Sequence, residues 1–256
     1  IYVVLSLMTD GSPTELAQVY GGLGQFEDVF TSPAQLFDDI EKQYEHLVRK
    51  SQGVFPDAGL RTCVLSADLA GILAHEAIGH TTESDIVMSG SVAAGKIGHK
   101  VASHLVTLID FANSCDGQTC PVPVYVDDEG TKAEDAVIIE SGTLRGYMHN
   151  KESAKHFGIA PTGNARAFQF SDEPLVRMRN TAILPGADNL DDMIASIDDG
   201  YYLIKPSNGQ ADSTSEFMFG ITLGYEIKNG KIGRAIRDTT ISGVAFDVLK
   251  TVTMIS

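Results

Sequence analysis

An Asn-Gly pair, Asn229-Gly230, separates two strand-like runs, Phe217 to Ile227 and Lys231 to Arg237. A type I′ turn needs positive φ at both central residues, which Asn and Gly tolerate, and its twist matches that of the paired strands. The segment therefore admits little but an antiparallel hairpin. A second hairpin signal precedes it: Ala136-Val-Ile-Ile-Glu140, then Ser-Gly, then Thr143-Leu-Arg-Gly-Tyr147. Helical signals lie among these strands, so the predicted class is α+β, with mostly antiparallel sheet.

Ser32 reads as an N-cap, Pro33 as the first helical position and Gln35 as the capping-box residue. Leu36, Phe37, Ile40, Tyr44, Leu47 and Val48 then form one helical stripe that ends near Lys50. Ile1 to Met8 reads as a strand and Asp10 to Gly24 as a glycine-rich loop. Arg61 to Ser66 is a short strand, followed by a helix capped by Ser66 or Asp68 and running to about His80. A short helix is expected within Gly95 to His104 and a strand over Leu105 to Phe111. Lys151 to Phe157 reads as a helix closed by Gly158, and Asn189 to Asp199 as a helix before the strand Tyr201 to Lys205. The polar, Gly- and Pro-containing stretch Ser51 to Gly59 is the expected boundary, giving domains of residues 1–55 and 56–256.

Composition narrows the function classes. Of 256 residues, 43% are hydrophobic and 21% charged, ordinary values for a chain with a packed core. Nineteen Lys and Arg against 34 Asp and Glu give a net charge of −15. That charge repels phosphate and excludes nucleic-acid binding through a basic face. No run approaches the roughly 18 apolar residues of a membrane span, so no membrane partner is expected. Cys63, Cys115 and Cys120 are odd in number and irregularly spaced, which points away from a disulfide framework and toward a reducing, cytoplasmic compartment.

The chemistry concentrates in Ala74-His75-Glu76-Ala77-Ile78-Gly79-His80-Thr81-Thr82-Glu83-Ser84-Asp85. Two histidines with a glutamate directly after the first suit a zinc hydrolase: neutral imidazoles hold the ion and a carboxylate takes a proton from water. In the common helical motif the histidines are four apart, whereas His75 and His80 are five apart. Four steps of a regular helix separate side chains by about 40°, five steps by about 140°. The pair can share one ion only where the turn is widened, as in a π-bulge, or where the helix ends. Ala77 and Gly79 are small enough to allow that. His99 and His104 are also five apart, but Lys100 stands where the glutamate would be, and they read as surface residues.

The segment His75-Glu-Ala-Ile-Gly-His80, followed by Glu83 and Asp85, resembles the H-E-x-x-x-H site of the TldD/PmbA family of metallopeptidases. Gly95-Lys-Ile-Gly-His-Lys-Val-Ala-Ser103, Val126-Asp-Asp-Glu-Gly-Thr131, Pro161-Thr-Gly-Asn-Ala-Arg166, Arg177-Met-Arg-Asn-Thr181 with Pro185-Gly186, Asp199-Gly-Tyr201, Gly209-Gln210 and Tyr225-Glu-Ile-Lys-Asn-Gly-Lys-Ile232 resemble further family segments, in family order. The resemblance implies a TldD-like zinc peptidase acting on short or unstructured peptides. His75 and His80 would be Zn2+ ligands, Glu76 the general base and Glu83 a support for an imidazole. Asn164 and Arg166 would be possible substrate contacts. It also implies an N-terminal α/β domain of which residues 1–55 are the last part, and a third ligand, a cysteine, beyond Ser256. The implied partner is a second copy, forming a homodimer, or a PmbA-like subunit, forming a heterodimer. The competing reading is a catalytically silent regulatory or binding subunit, of the kind linked to DNA gyrase modulation.

Overall fold

The computed structural model describes residues 1–9, 11–211 and 216–256. In chain order the main elements are β1 (Tyr2–Thr9), β2 (Ser12–Val19), α1 (Phe37–Ser51), β3 (Thr62–Leu65), α2 (Ala67–Ile72), β4 (Leu108–Phe111), β5 (Ala136–Glu140) and β6 (Thr143–Leu144). They continue with α3 (Lys151–Phe157), β7 (Asn180–Ile183), α4 (Leu190–Ala195), β8 (Asp199–Ala211), β9 (Glu216–Lys228), β10 (Lys231–Ala235), β11 (Thr239–Val244) and α5 (Ala245–Lys250). This is a mixed fold in which antiparallel pairing dominates. Among the described residues no helix is long and apolar enough to cross a membrane.

The chain forms two compact units that interleave along the sequence. The first comprises residues 1–66, 191–207 and 220–240. Here β1 and β2 form a hairpin, with Tyr2 opposite Val19 and Thr9 opposite Ser12. Sequence reading expects a loop over Asp10 to Gly24; β2 occupies much of it, and Asp10 itself lies outside the described residues. The segment Ser-Pro-Thr-Glu-Leu-Ala-Gln-Val lacks the β-branched density that marks a strand. Its single buried apolar side chain, Leu16, and pairing with β1 hold it extended. Pro13 is tolerated because β2 has a partner on one side only in this two-stranded sheet.

Pro33–Leu36 is a 3-10 turn capped by Ser32, whose Oγ accepts from Ala34 N at 3.1 Å, and it leads into α1. Leu47 of α1 packs with Leu16, Leu223, Tyr225 and Ala235. Phe37 and Tyr44, expected on the inward stripe, are exposed; Gln43 and Lys50 are buried instead. Gln43 Nε2 donates to Leu16 O, and Lys50 Nζ donates to Glu15 O and pairs with Asp238. The alkyl stems of these residues do the covering while their ends find polar partners. The sheet order in this region is β10-β9-β8-β3, with β3 parallel to β8 and β9 antiparallel to β10. The β9–β10 turn has Asn229 at φ 50° and Gly230 at φ 71°, the I′ geometry that the Asn-Gly pair predicts.

The second unit comprises residues 67–190, 208–219 and 241–256. Its four-stranded sheet, in the order β7-β4-β5-β6, is antiparallel throughout. Ser141 and Gly142 take φ 45° and 79° in the β5–β6 turn. The helix α3 matches its predicted span, from the Asn150 cap to left-handed Gly158. No helix forms over Gly95 to His104: turns with positive φ at Gly95 and Gly98 run there instead. Two glycines so placed favour reversal over helix continuation. Cys115 and Cys120 are free and belong to a small hairpin, Ser114–Cys115 with Gln118–Thr119 and neighbouring residues.

Candidate functional site

The helix α2 does not continue regularly. Leu73–Gly79 is a π-helical turn, and His80–Thr82 a 3-10 turn. The His80 backbone N–H donates to the His75 carbonyl, the i to i−5 bond that defines the wide turn. It brings the same two residues' side chains onto one side. The imidazole centroids are 5.0 Å apart, with ring planes at 80°. The widening expected from the five-residue spacing is present.

Packing holds this turn. Leu73, Ala74, Ala77, Ile78 and Gly79 are buried. Thr81 and Thr82 hydroxyls donate to the Ile78 carbonyl at 2.9 Å, satisfying an acceptor near the helix end. Gly79 has ordinary helical dihedrals, φ −55° and ψ −57°, so its conformational freedom is not what the site uses. A Cβ there would lie 1.8 Å from Met178 Sδ. The glycine is required for close approach.

Glu76 lies between the imidazoles in sequence, and its Oε2 is 3.9 Å from His80 Nε2. Its side chain is 20% exposed, enough to meet a solvent-borne substrate. A Cβ on Gly209 of β8 would stand 3.5 Å from Glu76 Cγ, so the strand passes close to the carboxylate stem. On the other side of His80, Glu83 Oε2 is 3.2 Å from Nδ1. A carboxylate that accepts this bond takes it from Nδ1–H, and in the neutral ring that tautomer leaves the Nε2 lone pair free. Glu83 is 1% exposed, and Arg177 NH1 lies 3.8 Å from the same Oε2. Its other oxygen, Oε1, has no hydrogen-bond partner. A bridge to Met148 fixes the Glu83 backbone.

The two imidazoles titrate in opposite directions. The Glu83 hydrogen bond pushes the His80 pKa up from its ordinary value. Partial desolvation, then the neighbouring His80, push that of His75 down.

Two imidazoles facing one another fit two positions of a zinc site, and nitrogen donors suit that ion. Among the described residues no group of three or more His, Cys, Asp or Glu side chains could hold a metal. His99 and His104 are exposed, as expected for surface residues. Asn164, a possible substrate contact, is buried and fully engaged: its amide donates to Asp110 Oδ2 at 2.8 Å and to Arg177 O at 2.9 Å. Arg166 is exposed and lines a cleft of about 380 Å³ together with Arg177 and Met178.

The sequence reading misses Asp110, on β4, as an organising residue. Its carboxylate accepts from Arg179 N, Arg179 Nε, Asn164 Nδ2 and Thr181 Oγ1. Arg179 also donates to the carbonyls of Thr162, Gly163 and Glu134. This buried pair fixes the segment that carries Arg177 and Met178 to the site. Only a lone Asp ending an apolar run signals it in sequence.

A short helix that presents two imidazoles and a carboxylate on one side is the arrangement used by helix-borne hydrolytic metal centres. Residues 59–256 match the family model of the PmbA/TldA metallopeptidase C-terminal domain. The chain belongs to the TldD/PmbA family. It is 34% identical over 235 residues to the "Zinc metalloprotease TldD homolog" of Saccharolobus solfataricus, covering 91% of this chain and 51% of that protein. It is 40% identical over 205 residues to the "Metalloprotease TldD homolog" of Buchnera aphidicola, covering 79% of this chain and 41% of that protein. The chain thus spans about half the length of the curated relatives it matches. The crystal structure of TldE from Thermococcus kodakarensis shares the fold, with a TM-score of 0.75 at 21% identity, over 100% of this chain and 56% of that one.

Proposed function

We propose that the protein is a zinc-dependent peptidase that hydrolyses short or unstructured peptides through His75, Glu76 and His80. The observation that carries this is the π turn: a helix distorted so that five-apart histidines face one another with a carboxylate beside them. In this proposal His75 and His80 hold the ion, and a further ligand from outside the described residues completes the protein's set. Zinc, when bound, supplies Lewis acidity toward the scissile carbonyl and toward water. Glu76 removes the attacking water's proton and delivers it to the departing amine. Glu83 holds Nδ1–H of His80 and so keeps Nε2 available, and Arg177 restrains Glu83.

The names of the relatives support this reading, since they are called metalloproteases and one a zinc metalloprotease. A partner subunit, a second copy or a PmbA-like chain, belongs to the same proposal, and native mass measurement tests it. The second reading is a silent binding or regulatory subunit. The presence of Glu76, which a silent subunit does not need, opposes it.

The test is zinc content and peptide hydrolysis in His75→Ala and His80→Ala. Both variants are expected to lose both properties. Full hydrolysis in either would refute the assignment.

A further inference from the structure

The cleft beside the imidazole pair has an unusual charge arrangement for so acidic a chain. A two-residue antiparallel ladder, Ala165–Arg166 with Leu175–Val176, forms part of its wall. Arg166 pairs with Leu175, and the ladder extends by one bond, from Arg177 N to Asn164 O at 2.8 Å. Positions 166 and 177 therefore lie diagonally on the same face, where Cβ atoms are about 7 Å apart, within reach of long side chains. Both arginines line the cleft.

Arg145, Arg179 and Arg234 each pair with a carboxylate at 2.8–3.0 Å, and Arg49 and Arg237 donate to backbone carbonyls and lie over aromatic rings. The Arg166 side chain has no hydrogen bond or ion pair among the described residues. Among the described residues Arg177 pairs with Glu83, at 3.8 Å from NH1; that Oε2 also engages His80 at 3.2 Å, and NH1 donates to Val176 O at 2.7 Å. Asp127 and Asp128 also line the cleft, but both are committed to backbone N–H groups. Asp127 accepts from Glu129, Thr131 and Ala165, and Asp128 from Ala167. The unpaired Arg166 fork, with the remaining donors of Arg177 on the same face, offers a carboxylate receptor.

We propose that this cleft is a carboxylate-binding subsite, and that its ligand is the C-terminal carboxylate of a short peptide. The inference rests on the peptidase reading for its purpose but not for its test. Arg177 reaches Glu83, Glu83 reaches His80, and Met178 of the cleft wall abuts Gly79 of the π turn. Through the shared Glu83 Oε2, Arg177 NH1 comes within about 7 Å of His80 Nδ1, the reach of about two extended residues.

The test is direct binding to the intact protein carrying Glu76→Gln, so that no turnover intervenes. The probes are an N-acetylated tripeptide with a free C-terminal acid, its C-terminal amide, and an amide with glutamate at the last position. The free acid is expected to bind about tenfold or more tighter than the amide, as charge-assisted pairing implies. Arg166→Gln should bring that ratio close to one, Arg166→Lys should restore part of it, and Arg145→Gln, on a distant hairpin, should leave it intact. If the glutamate-bearing amide binds like the acid, the carboxylate subsite stands and a side chain can fill it. Equal binding of acid and amide, or a ratio unchanged by Arg166→Gln, would overturn the subsite. Arginine-dependent binding without hydrolysis by the unsubstituted protein would sink the peptidase reading alone.

Discussion

Gly79→Ala sets two opposing effects against each other. Alanine in a helical position is favoured over glycine by about 1 kcal/mol, and Gly79 has helical dihedrals that alanine adopts freely. On intrinsic propensity the substitution stabilises. The new methyl would, however, sit 1.8 Å from Met178 Sδ, 2.9 Å from Cε and 3.1 Å from Cγ. Ordinary carbon contacts are about 3.5–4 Å, so the thioether must move by more than an ångström. Methionine is flexible, but Met178 is 5% exposed and has little room. Overpacking of a filled core costs about 1–3 kcal/mol. With a contact as close as 1.8 Å the cost falls in the upper part of that range, about 2–3 kcal/mol, and a net loss of about 1–2 kcal/mol is expected. Urea unfolding followed by circular dichroism measures it. The double variant Gly79→Ala/Met178→Ala should be more stable than the sum of the two single losses by about 1 kcal/mol, because the clash is gone. A neutral or stabilised Gly79→Ala, or strict additivity, would refute close approach as the reason for this glycine.

Glu83→Gln keeps the side-chain shape but removes the charge held against His80 Nδ1. Zinc affinity should fall about 10–100-fold, as expected for a ligand's supporting partner; chelator competition that finds no change would contradict that role. His149, 1% exposed, has its pKa pushed down to about 4 by burial. The unfolded chain then binds the extra proton below its own pKa near 6.5, so stability is full above that value and is lost as pH falls toward 4. The loss reaches about 3 kcal/mol, and unfolding midpoints between pH 7 and 4 should show it, with a shallower slope in His149→Gln.

Local rules carry much of the fold. Asn229-Gly230 and Ser141-Gly142 specify their turns through positive φ, and Asn150 with Gly158 delimits α3, because each signal is contained within a few residues. β2 is missed because its extended form depends on β1 rather than on its own composition. The exposure of Phe37 and Tyr44 is missed because helical periodicity fixes a stripe's spacing but not how wide the covered face is. At the site, the spacing of His75 and His80 requires a widened turn, and the structure supplies it. The reason for Gly79 is tertiary: Met178 is distant in sequence. Asp110 and Arg179 are invisible for the same reason, as each acts through a partner about seventy residues away.

The central proposal is that Glu76 is the base of a site whose ligands are its neighbours. Glu76→Gln removes the base and leaves both imidazoles in place. Zinc content by elemental analysis, measured with peptide hydrolysis on the same preparation, is the most direct test. The proposed mechanism predicts unchanged zinc with nearly complete loss of turnover. Wild-type turnover in Glu76→Gln would contradict it.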